Sequence, residues 1–169
     1  MPFPRRISFL YIVLIAVLLV SLPGAIHRIL VTGDLYLFTD RFFQDILARL
    51  SGPGKMRFIL QPAVAIILGV RSGMRDAQAG IPPFVWALIF HGSQRKELVR
   101  SASRAIKNVI AIAILADMVS QYLIFHNVRS GAALLVGPVL ITLPYIMGRA
   151  FTNRIIRSKF RPAPTPRAN

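Results

Sequence analysis

The chain has 169 residues, of which 54% are hydrophobic and only 16% are charged, and its mean hydropathy is +0.58. A soluble domain carries about 25% charged residues and a disordered chain is far less apolar, so both classes are disfavoured. The 21 basic residues against 6 acidic ones would suggest nucleic-acid binding in a soluble protein. Here they flank long apolar runs, which indicates a membrane protein and argues against nucleic acid as a partner. Cysteine is absent, which excludes disulfides and thiolate chemistry.

Four apolar segments predict an all-α integral membrane bundle in one transmembrane domain, residues 1–160. A bilayer core about 30 Å thick needs about 20 helical residues. The spans are expected at about residues 7–26, 56–77, 108–125 and 131–151. The first could also be a signal peptide, but Pro23 lies where signal peptidase reads a small residue, which favours an uncleaved anchor that bends or ends there. The Pro- and Arg-rich segment 161–169 is predicted to be a disordered cytoplasmic tail.

The distribution of basic residues predicts the orientation. Two precede the first span, seven lie from Arg71 to Lys107, and six lie from Arg149 onward, so 15 fall on one side and the other 6 on the opposite side. Basic residues accumulate in cytoplasmic loops. The expected location is therefore the bacterial inner membrane, with several spans and both termini in the cytoplasm.

Two connecting segments have the pattern of amphipathic helices at the membrane surface. The first is expected to be capped by Asp34, with phenylalanines on one face and charged residues, including Arg49, on the other. The second is expected to be capped by Ser93, with a basic face for anionic headgroups. Both could instead be connectors packed on the bundle.

An aromatic segment at residues 83–90 separates the second span from the Ser93 segment. Phe84, Trp86 and Phe90 are expected to anchor the chain at the inner interface. The alternative is a short re-entrant segment that dips into the membrane.

Asp117 is the principal candidate for a functional residue, because it lies midway along the third span. A carboxylate there costs about 2.5–3.5 kcal/mol on insertion scales. Ser120 and Gln121 follow at helical spacing and predict one polar face directed into the bundle. The cluster is either a proton or cation site, or a hydrogen-bonded carboxyl that holds helices together.

Two further patterns occur in and after the second span. Ala65, Gly69, Gly73 and Ala77 place a small residue at every fourth position, which predicts close packing against another helix. Arg71 and Arg75 are four residues apart and could bind an anion or a lipid headgroup, or simply extend to the membrane surface.

The segments Leu60-Gln61-Pro62, Leu68 to Gly73, and Arg75 to Trp86 resemble small uncharacterised bacterial inner-membrane proteins. The resemblance covers about a third of the chain and implies no activity.

The sequence contains no phosphate-binding loop, nucleophile elbow or metal-ligand spacing, so neither a metal nor another cofactor is expected. The expected function is non-enzymatic: a small subunit, scaffold or assembly partner of an inner-membrane complex. Its expected partners are the anionic bilayer and a second membrane protein or further copies of the chain. The alternative is a small oligomeric transporter or channel with Asp117 in the pathway.

Overall fold

A computed structural model describes residues 9–33, 37–52 and 54–159, and within these residues it contains six helices and no strand. The helices are α1 (Phe9–Thr32), α2 (Asp40–Ser51), α3 (Arg57–Gln78), α4 (Phe84–Phe90), α5 (Gly92–Phe125) and α6 (Ser130–Lys159). The all-α prediction is therefore confirmed. Helices α1, α3, α5 and α6 are each long and apolar enough to cross a membrane, which makes the chain a multi-pass membrane protein. The predicted cap Asp34 and the tail 161–169 lie outside the described residues.

The described residues group into two compact units, and three helices contribute to both. Unit 1 contains the residues up to Gln61 together with Lys107–Thr142, and unit 2 contains Pro62–Ile106 together with the residues from Leu143 onward. The core of unit 1 is built from buried Ile114, Met118 and Ala133, with Leu14 and Leu18 of α1 among the side chains packed on it. The core of unit 2 is built from buried Phe84, Ala87 and Leu98.

One interpretation of the sequence allowed α1 to end at Pro23. The helix instead continues through Pro23 to Thr32. A proline inside a helix removes one backbone hydrogen bond, and transmembrane helices tolerate this loss where local adjustments satisfy the freed groups. The helix is tied to α5 by the Tyr11 hydroxyl, which donates to Asn108 Oδ1 at 2.7 Å.

Helix α2 begins later than the sequence suggested, because Thr39 caps it. The Thr39 hydroxyl oxygen accepts a hydrogen bond from the Phe42 backbone N–H at 3.3 Å. The helix has strongly separated apolar and polar faces, with Phe43 and Leu47 exposed. Arg49, however, is buried, so its predicted place on a solvated face is wrong.

Helix α5 runs for 34 residues without interruption from Gly92 to Phe125. The prediction of a separate surface helix capped by Ser93 and followed by the third span is therefore wrong. No proline or glycine follows Gly92 in this segment, so nothing in it breaks the backbone hydrogen bonding. The basic segment after Ser93 is the first part of the same helix.

Candidate functional site

Asp117 of α5 is fully buried in unit 1, where it pairs with two arginines. Nη1 of Arg49, from α2, lies 3.4 Å from Oδ1 and 3.3 Å from Oδ2 of the carboxylate. Nη2 of Arg57, the first residue of α3, pairs with Oδ1. The Arg49 and Asp117 side chains are 0% exposed, and that of Arg57 is 8% exposed. One carboxylate thus joins three helices through ion pairs.

Gln121 extends this cluster, which is defined here as the Asp117 cluster: Asp117, Arg49, Arg57 and Gln121. Its Nε2 donates to Asp117 Oδ2 at 2.7 Å, and its Oε1 accepts from the Arg129 backbone N–H at 2.8 Å. The spacing of four residues between Asp117 and Gln121 makes the first contact possible within one helix. The Arg129 side chain in turn pairs with Asp45 of α2.

Ser120 is also buried, beside the turn that leads into α3. A Cβ atom built on Gly54 would lie 3.2 Å from Ser120 Oγ, and Gly54 has a φ of +87°. The turn therefore favours glycine both for its backbone conformation and for the space it leaves. The three polar residues singled out on the third span, Asp117, Ser120 and Gln121, are all buried in unit 1.

The arginine partners of Asp117 were missed by sequence reasoning. Arg49 follows the polar pattern of α2, and Arg57 was counted only as a basic residue flanking a span. A signal was present, because an intramembrane carboxylate normally pairs with a basic group. Arg49 is separated from Asp117 by 68 residues, so sequence spacing alone did not identify it as the partner.

The Asp117 cluster holds more positive than negative charge. Two guanidinium groups face one carboxylate, and the neighbouring Asp45–Arg129 pair adds no net charge. Nε and Nη2 of Arg49 and Nε of Arg57 are buried and have no hydrogen-bond partner within the described part of the chain. Aromatic rings lie over the two guanidinium groups, Phe125 at 5.9 Å from Arg49 Cζ and Phe58 at 4.6 Å from Arg57 Cζ.

A second buried ion pair lies in unit 2, between Asp76 of α3 and Arg149 of α6. Arg149 donates from Nε to Oδ2 at 2.6 Å and from Nη2 to Oδ1 at 3.0 Å. Arg149 also donates to the Tyr145 and Ser101 hydroxyl oxygens at 3.2 and 3.0 Å, and its Cζ lies 4.3 Å from the Phe84 ring centroid and 5.9 Å from that of Tyr145. Asp76 therefore balances the charge of this arginine. Its N–H groups donate to side chains of α3, α5 and α6, and the Phe84 ring lies over the guanidinium.

Gly69 and Gly73 of α3 lie where this helix meets α6. A Cβ atom on Gly69 would collide with the Tyr145 carbonyl oxygen and lie 3.0 Å from the Arg149 backbone N, and one on Gly73 would collide with the Arg149 carbonyl oxygen. Ala65 is fully buried and Ala77 is half-buried. The two backbones approach so closely in unit 2 because these positions lack larger side chains.

The structure leaves Arg71 and Arg75 exposed, in contrast to Asp76 beside them. Trp86 and Phe90 are also exposed, and their rings contact each other in a tilted arrangement with centroids 4.1 Å apart, which is compatible with the predicted interfacial anchor. Phe84 does not belong to that anchor, because it is buried beneath Arg149. Its role is in the core of unit 2.

Asp76 and Asp117, the two carboxylates that are buried among the described residues, are both held in ion pairs. In the part of the chain that the structure describes, no group of three or more His, Cys, Asp or Glu side chains could hold a metal ion. Comparison of the chain with family models, with curated proteins and with solved structures finds no match. The fold and these clusters define a polytopic helical membrane protein whose buried charges connect its helices.

Proposed function

We propose that the protein is a non-enzymatic subunit, scaffold or assembly partner of a complex in the bacterial inner membrane. The observation that carries this proposal is the exposure of α1. In the apolar 18-residue segment of this helix, only 6% of the residues are buried by the rest of the chain, against 39% in the corresponding segment of α5. The rest of the chain covers one face of this span through half-buried residues such as Leu14 and Leu18, and the opposite face is available to another membrane protein.

The use of the buried polar groups supports a structural role. Asp117 connects α2, α3 and α5, and Asp76 connects α3 to α6. A general acid or base needs a carboxylate that can reach a substrate proton, whereas both of these accept hydrogen bonds from arginines. Their contacts are those of groups that hold helices in place.

The membrane assigned in this proposal rests on two sequence features. One is the excess of basic residues in the segments placed in the cytoplasm, and the other is the resemblance of Arg75 to Trp86 and the preceding segments to bacterial inner-membrane proteins. A transport role for Asp117 receives less support, because two arginines and Gln121 occupy its oxygens.

Photo-crosslinking in cells tests the partner role of α1. A crosslinking amino acid at Val20, which is 83% exposed, should give one discrete protein adduct, and mild-detergent purification should recover that protein in fixed ratio to this chain. The matched control is Leu143 of α6, which is also exposed and apolar. Adducts with lipid only, or the same set of proteins from both positions, would refute a specific partner on α1.

A further inference from the structure

We propose that the Asp117 cluster binds a phosphate group through Arg49 and Arg57. Two sources share this chemistry: the phosphodiester of a phospholipid headgroup and inorganic phosphate. The inference does not depend on a protein partner for α1.

The Asp117 cluster carries one more positive than negative charge. Arg49 and Arg57 contribute two positive charges and Asp117 one negative charge, within side chains that are at most 8% exposed. An uncompensated charge is costly in such an environment, and one phosphodiester monoanion would neutralise it.

Arg49 has two free donors on one edge of its guanidinium, and surrounding atoms cover both, so an anion reaches them only when those atoms move aside. Arg49 uses Nη1 for Asp117, so its Nε and Nη2 remain without a partner in the described residues. These two N–H groups point the same way along one edge of the guanidinium and can bind two oxygens of one anion. Arg57 Nε adds a third buried donor.

Arg149 shows how this chain uses the same edge where it is occupied. Its Nε and Nη2 bind the two oxygens of Asp76 at 2.6 and 3.0 Å. No described carboxylate takes that position at Arg49, since the oxygens of Asp117 face its Nη1. Among the described residues, the two arginines thus differ in whether a carboxylate occupies the Nε–Nη2 edge.

Arg49 and Arg57 belong to elements that are expected near lipid headgroups. Helix α2 exposes Phe43, Leu47 and Leu50, a surface suited to the boundary between lipid tails and headgroups, and Arg49 is carried on the same helix. Arg57 begins a candidate membrane span. Phospholipid headgroups at that boundary carry phosphodiester groups.

Thermal unfolding of the delipidated full-length chain in detergent tests the proposal in two arms. One arm titrates inorganic phosphate, and the other titrates phosphatidylglycerol in mixed micelles. We expect at least one titration to raise the melting temperature in a saturable manner, and the effective arm identifies the source. Chloride at equal ionic strength should give a much smaller rise.

Arg49→Lys keeps the charge but removes the two-donor edge, and should raise the half-saturating concentration at least tenfold. Arg104→Lys alters an exposed arginine paired with Glu97 and should leave the titration unchanged. If Arg49→Lys does not elute as a monodisperse species, Arg57→Lys, which removes another free Nε donor, carries the comparison. No response of the wild-type chain in either arm, a chloride response equal to that of phosphate, or an unchanged titration in the folded lysine variant would overturn the proposal.

Discussion

Arg149 and Asp76 form a buried ion pair in which two guanidinium N–H groups meet two carboxylate oxygens, and this pair joins α6 to α3 in unit 2. Asp76 directly follows Arg75, an exposed residue with a charge of opposite sign. Arg75 is therefore exposed and Asp76 is buried, although the two are neighbours on one helix. The effects of substituting them on stability can be compared directly.

Asp76→Asn should destabilise the chain by about 3–5 kcal/mol, because it leaves the Arg149 charge buried without its partner. Arg75→Gln should change stability by about 0.5 kcal/mol or less, as surface substitutions usually do. Thermal and denaturant unfolding in one detergent would compare the two variants. Equal stability of Asp76→Asn and the wild-type chain would contradict a structural role for the pair.

Asp117→Asn should also cost about 3–5 kcal/mol, although an amide can still form hydrogen bonds at this position. A carboxyl that acted only through hydrogen bonds would tolerate this change, whereas one whose negative charge two buried arginines share does not. The control is Glu97→Gln in the exposed pair with Arg104, where about 0–1 kcal/mol is expected. Melting temperatures in detergent measure both effects, and a tolerated Asn at position 117 would restore the hydrogen-bonding interpretation.

Gly69→Ala and Gly73→Ala should each destabilise unit 2 by about 1–3 kcal/mol, since the added methyl group meets backbone atoms that a rotamer change cannot move. Leucine at either position should disrupt the contact with α6. Gly92→Ala is the matched control, because it lies in a helix with no atom within 4 Å of the added Cβ. The measurement is again the unfolding midpoint, and wild-type midpoints for both alanine variants would place the α3 glycines against lipid.

The orientation can be measured with reporter fusions. A reporter inserted at Gly80, in the connection between α3 and α4, and a second one after Asn169 should both report the cytoplasm, as the excess of basic residues predicts. A third reporter at Asn127, between α5 and α6, should report the opposite side. Reversal of all three signals would invert the orientation of the four spans, and any other departure from this pattern would require a different number of spans.

Hydropathy was sufficient to predict the four apolar helices, because membrane insertion depends on the summed apolarity of about 20 residues. Hydropathy also identified Asp117 as a candidate, because a charged residue within an apolar span is costly and therefore rare. The burial of Arg49 could not be predicted in the same way. Its position in α2 is compatible with a solvated face, and only the approach of a carboxylate 68 residues away makes burial favourable.

The scarcity of acids was an additional signal that the sequence did contain. The chain has six acidic residues, and four of them, Asp45, Asp76, Glu97 and Asp117, form ion pairs among the described residues. An unpaired acid in a membrane span is energetically costly, so an acid in or beside a span is normally paired. Which arginine pairs with it depends on how the helices pack, and hydropathy carries no information about that packing.

The glycines at the crossing of α3 and α6 also bear on how this protein can evolve. Gly69 and Gly73 lie against the backbone of α6, and Gly148 of α6 lies against the backbone of α3, with Ile66 O only 2.9 Å from where its Cβ would be. A larger residue on either helix forces the two backbones apart and stretches the pairing of Asp76 with Arg149 beside it. Natural selection should therefore keep the three glycines and the two charged residues as one inherited set, lost or retained together in descendants of this gene.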